Sequence, residues 1–412
     1  MDKTLLIIGL VWPEPNSSAA GKRMLQLITL FKKWGYSITF ASSALENEFN
    51  FDLETIDVQK KSIVLNCASF DFFIKDLNPS IVLFDRFVIE EQFSWRVSIV
   101  CPNAVKILDS EDLHCLRYTR HANFKKGIAF EIENLYTEDL TKRELASIYR
   151  CDLTLVVAEF EMKILCDYFK IDSQILFYLP ILFQKEELEI DFSTVDFHKR
   201  QDFVFIGNFW HEPNWDAVLY LKTTIWPLVR IQCSKAIIRI YGAYPSQKVF
   251  DLHNKKDGFL VLGRAANAEK VIAEARVLIA PLRFGAGIKG KLLESMLWGT
   301  PSITTSIGAE SIQGALDWNG FITDDPIEIA SKAVLLYENE SIWTEALNNG
   351  HTILSKRFLA SDFELPFKQK LEAILFDIFV HRKYNFIGAL LSHHSMRSTE
   401  YMARWIEEKN NK

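Results

Sequence analysis

Long apolar runs are missing from this chain. The first hydrophobic stretch, Leu5 to Trp12, is broken at once by Pro13-Glu14-Pro15. It is far short of the roughly 20 residues that span a bilayer. It also lacks a cleavage-site pattern, so it reads as a first β-strand rather than a signal peptide. Any membrane contact must therefore be peripheral, on the inner face of the membrane of a cytoplasmic protein. Cysteine is scarce and scattered: the six residues at 67, 101, 115, 151, 166 and 233 form no C-x-x-C pair. That argues against a zinc ribbon or a disulfide framework and fits reduced cytosolic thiols. Excess positive charge is absent as well, with 47 Lys and Arg against 53 Asp and Glu and a net charge of −6. A nucleic-acid partner would require a basic footprint. No D-x-D triplet occurs, so no metal site is expected.

What is present is ample core. Hydrophobic residues make up 49% of the chain and aromatic residues 13%, which excludes intrinsic disorder. At 412 residues the default is two domains of about 180–200 residues each. The first half alternates short apolar runs with helical stretches, the pattern of a doubly wound α/β sheet. Strands are expected at Leu5–Leu10, Ser37–Ala41, Ile81–Phe84, Val105–Leu108 and Leu153–Val157. Between the first two, Ala19–Gly35 predicts a helix with Met24, Leu25, Leu27, Ile28 and Phe31 inward and Gly35 closing it. A polar passage, Asp191–Arg200, marks the interdomain linker. A second alternating set follows, with strands at Phe203–Ile206, Ile237–Tyr241, Gly258–Val261, Val277–Leu282 and Ser302–Thr305.

The most informative segment lies in this second half. After the strand Val277–Leu282 comes a glycine turn, Gly285-Ala286-Gly287-Ile288-Lys289-Gly290-Lys291, and then a helix-forming run, Leu292–Trp298. A strand, a glycine turn and a helix N-terminus together bind phosphate, because the first-turn N–H groups are free and the helix dipole is positive there. The spacing also satisfies G-x-x-x-x-G-K, the triphosphatase P-loop, but the next residue must be Ser or Thr to ligate magnesium. Leu292 stands there instead, and the P-loop reading fails. Glu294 lies about one turn into the helix. A carboxylate would repel a phosphate and instead suits neutral hydroxyls such as those of a ribose. Phosphates on the helix N-terminus and a ribose on Glu294 describe a nucleoside diphosphate.

These residues carry a family resemblance. The string PLRFGAGIKGKLLE, followed by Gly299-Thr300-Pro301, resembles the donor-binding region of glycosyltransferase family 4. That family opens this helix with E-x7-E and then G-x-P. Glu294 matches the second Glu, whereas the first position holds Ala286, which leaves the contact to the donor sugar unassigned. The resemblance implies an α/β chain with the GT-B fold: two facing Rossmann-like domains with parallel sheets, and a C-terminal helix crossing back to the first. The implied division is an acceptor-side domain over 1–190, a donor domain over 200–365, and closing helices over 366–412.

Ligands of such sheets bind beyond the carboxyl ends of the strands, so the expected site is a cleft between Asn16–Gly21 and the glycine turn. Ser18 and Gly21 follow the first strand, where Ser caps a helix and Gly admits close backbone approach. A capped turn alone is the competing reading. Gly207 and Asn208 follow the first strand of the second domain and are implied donor neighbours. Asn214 and Asp216 read as capping residues. In the segment Asp109-Ser110-Glu111-Asp112-Leu113-His114, an Asp–His pair suits acid–base work. The resemblance places a residue of this loop near the donor sugar, with His114 the candidate and Asp109 and Asp112 as rivals. A solvated helix start competes with that reading. Arg117, Arg120, Lys125 and Lys126 form a basic cluster for which an acidic acceptor or membrane head groups compete with the favoured reading, a solvated helix face. Phe84–Trp95, rich in carboxylates and rings, is an acceptor-site candidate. Arg283 is positioned to hold diphosphate bidentately, and Glu310 either faces the donor or caps a helix.

The activity implied is that of a metal-independent, retaining glycosyltransferase of hexosyltransferase type. His114, Asp109, Lys289 and Arg283 would serve catalysis, and Ser18, Gly21, Gly207, Asn208, Gly287, Ile288, Lys289, Gly290, Lys291 and Glu294 would hold the donor. No cofactor is expected beyond the nucleoside-diphosphate sugar, and the acceptor is a carbohydrate or a lipid-linked precursor. Two rivals share the cleft: a GT-B sugar-nucleotide epimerase, and a catalytically silent sugar-nucleotide-binding protein.

Overall fold

Two all-parallel sheets account for the alternation of apolar runs. The computed structural model describes residues 3–189 and 195–410. The first sheet comprises β1 (Thr4–Gly9), β2 (Ser37–Ser42), β3 (Gln59–Ser62), β4 (Ile81–Asp85), β5 (Val105–Asp109), β6 (Leu153–Val156) and β7 (Leu176–Tyr178). Their spatial order is β3-β2-β1-β4-β5-β6-β7. The second sheet comprises β8 (Gln201–Ile206), β9 (Ile238–Tyr241), β10 (Phe259–Gly263), β11 (Ala275–Ala280), β12 (Ser302–Thr304) and β13 (Gly320–Ile322), in the order β10-β9-β8-β11-β12-β13. Both orders reverse beside their first strand: β1 lies between β2 and β4, and β8 lies between β9 and β11. At such a switch point, connections leave to opposite faces and open a crevice at the carboxyl edge. The loops after β1, β4, β8 and β11 all open there.

Each sheet is buried on both faces, as parallel sheets require. Side chains alternate across a strand, so Leu5 and Ile7 of β1 enter one core cluster while Leu6 and Ile8 enter another. In β11, Val277 and Ile279 pack on one side and Leu278 and Ala280 on the other. The helix Ala19–Lys33 buries Met24, Leu27, Ile28 and Phe31, and Gly35 lies just past its end at φ 83°. Three strands escaped the periodicity. Gln59–Ser62 is polar and mostly exposed, suited to a charged edge that resists pairing with another chain, and Leu176–Tyr178 and Gly320–Ile322 have only three residues each. Of the expected linker, 191–194 lie outside the described residues. Its end is pinned: the buried Arg200 guanidinium donates to Thr300 Oγ1 at 2.6 Å and to the Trp298 carbonyl at 2.6 Å.

The chain returns to the first domain at its end. In the helix Ala360–Phe376, Phe367, Leu371 and Ile374 join the core cluster of Leu5, Phe31 and Ile38. Two further helices follow, Ile378–Tyr384 and Phe386–Asn410. Arg382 clamps Asp152 at 2.7 and 2.8 Å. Gly388 comes so close to the first domain that a Cβ there would lie 2.0 Å from the Tyr149 carbonyl. Backbone cannot yield as a flexible side chain does, so Gly388→Ala must lift the last helix. The variant is expected to lose about 1–3 kcal/mol, measured by urea denaturation. Unchanged stability would show that the helix is not seated on Tyr149.

Candidate active site

The crevices of the two sheets face one another across a cavity of about 910 Å³. Its first-domain wall comes from the β1 loop and the ends of β4 and β5, and its second-domain wall from the loops after β8, β9, β10 and β11. Ser18, Gly21, Gly207, Asn208, Gly287, Ile288, Lys289, Gly290, Lys291 and Glu294 all line it, and so does His114. Folding has gathered loops nearly 300 residues apart in the chain.

The glycine turn leads into the helix Gly290–Leu297, whose start has no side-chain cap. Gly290 and Lys291 of its first turn line the cavity, while the Leu292 N–H donates to the Lys289 carbonyl at 2.8 Å. Lys289 is buried, with Nζ donating to the Gly287 carbonyl at 2.9 Å. Burial, reinforced by Arg120, lowers its pKa to about 8 against the pull of Glu310. Lys291 donates to Asn214 Oδ1 at 2.7 Å and lies over the Phe205 ring, 4.1 Å from its centre. Burial drives it to about 7, opposed by Glu294. Both lysines are thus poised to gain charge when an anion arrives. Glu294 pairs with Lys22 of the first domain at 2.8 Å.

Opposite stands a set of groups with unused hydrogen-bonding capacity. His114 starts the helix His114–Lys126 and meets Phe87 edge-on at 5.4 Å. Its Nε2 is 3.4 Å from Asp112 Oδ1 and makes no hydrogen bond. Burial takes the imidazole down to about 4, so it is neutral near pH 7. Glu111 has φ 60° and a buried, unpartnered Oε1. Burial and the neighbouring Asp109 raise its pKa to about 8. Arg86, at the end of β4, has φ 72° and donates to both oxygens of Asp85 at 2.9 Å. Two non-glycine residues in this backbone region at adjacent strand ends are the kind of strain that collects at functional sites. From the far wall, Arg264 presents a buried Nη1 with no partner. It donates to Ser17 Oγ at 2.6 Å and covers the Phe49 ring at 3.6 Å. Sequence reading placed Glu111 and Arg86 in candidate segments without giving either a role and missed Arg264, because their roles come from neighbours remote in the chain.

Several expected roles are corrected. Asp109 is fully buried and accepts three hydrogen bonds from Arg23, the shortest 2.8 Å. It is a structural counter-ion behind the cleft wall. Arg283 is clamped by Asp216 at 2.9 and 2.6 Å between the Phe124 and Tyr220 rings, turned from the cavity. Asp216 is therefore its partner rather than a cap, and Asn214 serves Lys291. The room at Gly21 is filled by the protein itself, since a Cβ there would meet the Glu14 carbonyl at 2.4 Å. Gly287 does not offer a free N–H, because it donates to Glu161 at 2.8 Å. Arg120 is buried, donating across the domains to Glu310 at 2.7 and 2.9 Å and to the Gly285 carbonyl at 2.8 Å. Of the basic cluster, only Lys125 and Lys126 are solvated, while Arg117 lines the cleft. In Phe84–Trp95, Asp85 and Arg86 reach the cavity, whereas Glu90 and Glu91 are held by Arg150 and Arg143.

The two-domain fold resembles solved structures. A glycosyltransferase from Rickettsia africae superposes with a TM-score of 0.65 at 12% identity, over 91% of this chain and 99% of that one. HepE of Anabaena, solved in complex with UDP, gives 0.64 at 11% identity over 90% and 100%. The sucrose-phosphate synthase of Thermosynechococcus elongatus gives 0.63 at 13% identity over 90% and 99%. The fold is GT-B. Residues 200–339, which hold the whole second sheet, match the family model for Glycosyl transferases group 1. No curated protein sequence matches the chain.

Within this GT-B frame the Arg23–Asp109 pair fixes the first helix against the end of β5. Asp109→Ala would strand a buried guanidinium and is expected to cost about 3–5 kcal/mol in chemical denaturation. Wild-type stability together with lost ligand turnover would return Asp109 to the reacting groups.

Proposed function

We propose that this protein is a retaining, metal-independent glycosyltransferase that takes a sugar from a nucleoside diphosphate and delivers it to an acceptor hydroxyl. One observation carries the reading: a helix N-terminus without a side-chain cap, the buried Lys289, the half-buried Lys291 and Glu294 share one cavity with His114. The diphosphate sits on the first turn of Gly290–Leu297, with Lys289 and Lys291 as counter-charges. The ribose hydroxyls replace Lys22 on Glu294. The UDP bound in the HepE structure and the match of the donor-side domain to group 1 glycosyltransferases support this assignment.

In the reaction the bond from the anomeric carbon to the diphosphate oxygen breaks, and its electron pair leaves with the diphosphate. The acceptor oxygen bonds to the same face of that carbon, and its proton passes to the departing phosphate oxygen. Preorganised positive charge at the leaving group is the main contribution of such a site. His114, neutral and with a free nitrogen, orients a sugar hydroxyl. Glu111, which holds its proton at neutral pH, donates a hydrogen bond to another. Glu111 and Glu161 also bring carboxyl groups to the region where Ala286 supplies none.

A thermal-shift screen of nucleoside diphosphates and their sugars should raise the melting temperature with at least one base. Silence with all of them sinks the reading, and binding without turnover against any acceptor points to the silent rival. Glu294→Ala should weaken the bound nucleotide by roughly tenfold or more in calorimetry. His114→Ala should lower kcat with little change in nucleotide affinity.

The lysines add a proton signature. A bound diphosphate favours the ammonium form and raises both lowered pKa values. Binding at pH 8 should therefore take up protons, seen as a calorimetric heat that depends on the buffer's ionisation enthalpy. Lys291→Met should shrink that uptake, and a buffer-independent heat in the wild type would remove the lysines from the phosphate site.

A further inference from the structure

Far from the cleft, the last helices present a surface that is unusual for a chain of net charge −6. In Ile378–Tyr384, Ile378 is buried, His381 Nε2 meets the Asp152 carbonyl at 2.7 Å, and Arg382 holds Asp152 and the Pro102 and Ala104 carbonyls. The other face shows Phe379, Val380, Lys383 and Tyr384, spaced as one helical stripe. The next helix repeats this division. Gly388, Met396 and Ala403 pack inward, while Phe386, Ile387 and Leu390 stand outward, followed along the same face by His393, His394 and Arg397. Phe379 is 71% exposed and Phe386 72%. These helices are not loosely placed ends. Their inner faces are anchored by the Asp152 clamp, by Asn385 Nδ2 donating to the Tyr149 carbonyl at 2.7 Å and by the Gly388 contact. The rings are thus displayed by a seated scaffold.

Charge selects what covers them. Between Glu372 and Glu400 the only carboxylate is Asp377, and it is committed to capping a helix through the Val380 N–H at 2.9 Å. Lys383 and Arg397 flank the outward rings. Aromatic side chains beside cations, with one helix-capping carboxylate in the stretch, match the boundary of an anionic bilayer, where rings enter the headgroup region and cations meet phosphates. No helix among the described residues is long and apolar enough to cross a membrane.

We propose that the outward face of Ile378–Tyr384 and of the first turns of Phe386–Asn410 docks on an anionic lipid surface. Arg382 contacts residues just before β5 and β6, so the face lies at the amino-terminal edge of the first sheet. The cleft lies at the opposite, carboxyl edge. Docking therefore holds the protein at the membrane and leaves the cleft open to the aqueous side, independent of what the cleft binds.

The test is flotation of the full chain with vesicles of phosphatidylcholine containing phosphatidylglycerol, against phosphatidylcholine alone. Wild type should partition to the anionic vesicles, less so in high salt. Phe379→Glu with Phe386→Glu should lower that partition by roughly tenfold or more. Lys383→Glu with Arg397→Glu should do the same without touching a ring, which covers the case of an unfolded first variant. Both should keep the wild-type melting temperature and nucleotide response, which separates failure here from failure of the catalytic reading. Equal binding to neutral vesicles, or none to anionic ones, overturns the proposal. So does a wild-type dimer in light scattering that the ring variants dissociate, because a second copy would then be the occupant.

Discussion

Glu161 holds the two halves of this molecule in register at one point. Its Oε1 accepts the Gly287 N–H of the second domain at 2.8 Å and the Leu113 N–H of the first at 3.0 Å. Leu113 immediately precedes His114, and Gly287 lies two residues before Lys289. One carboxylate oxygen thus sets the distance between the groups that would face the sugar and those that would face its phosphates. Arg120 reinforces the seam from the other side through Glu310 and the Gly285 carbonyl. The turn approaches so closely that a Cβ at Gly287 would meet Asp112 Cβ at 2.8 Å. Glycine there serves the fit between domains as much as the approach of a ligand.

Burial then shapes the chemistry. Lys289 and Lys291 are pushed down to about 8 and about 7, while Glu111 and Glu161 rise to about 8, each chiefly by loss of water. Loss of water disfavours the charged form of each of these four groups. A charged ligand would reverse that preference locally. The nucleoside diphosphate proposed for this cleft would draw protons onto both lysines as it binds.

The contrast between reading and structure is sharpest at Asp109 and Arg283. Both residue types suited the chemistry and both sat in the expected loops, yet each has a tighter partner nearby, Arg23 for one and Asp216 for the other. Those partners are 86 and 67 residues away in sequence, and no local pattern pairs them. The reverse holds for Glu111, Arg86 and Arg264. Each is unremarkable in its own segment and acquires meaning from strain, burial or a missing hydrogen bond that only packing creates.

Local pattern alone carried the alternation of strands and helices, the parallel character of both sheets and the strand, glycine-turn and helix order of Val277–Leu297. These follow from side-chain periodicity and glycine stereochemistry, which act over a few residues. It also carried the exclusion of a triphosphatase loop, because one side chain, Leu292, decides metal ligation. Tertiary structure decided which carboxylates are counter-ions, which lysines are desolvated, and that Gly287 donates to Glu161. It also decided that the rings of the final helices face outward. Those properties depend on distance in space and on the loss of water, and neither is written in the spacing of residues along the chain.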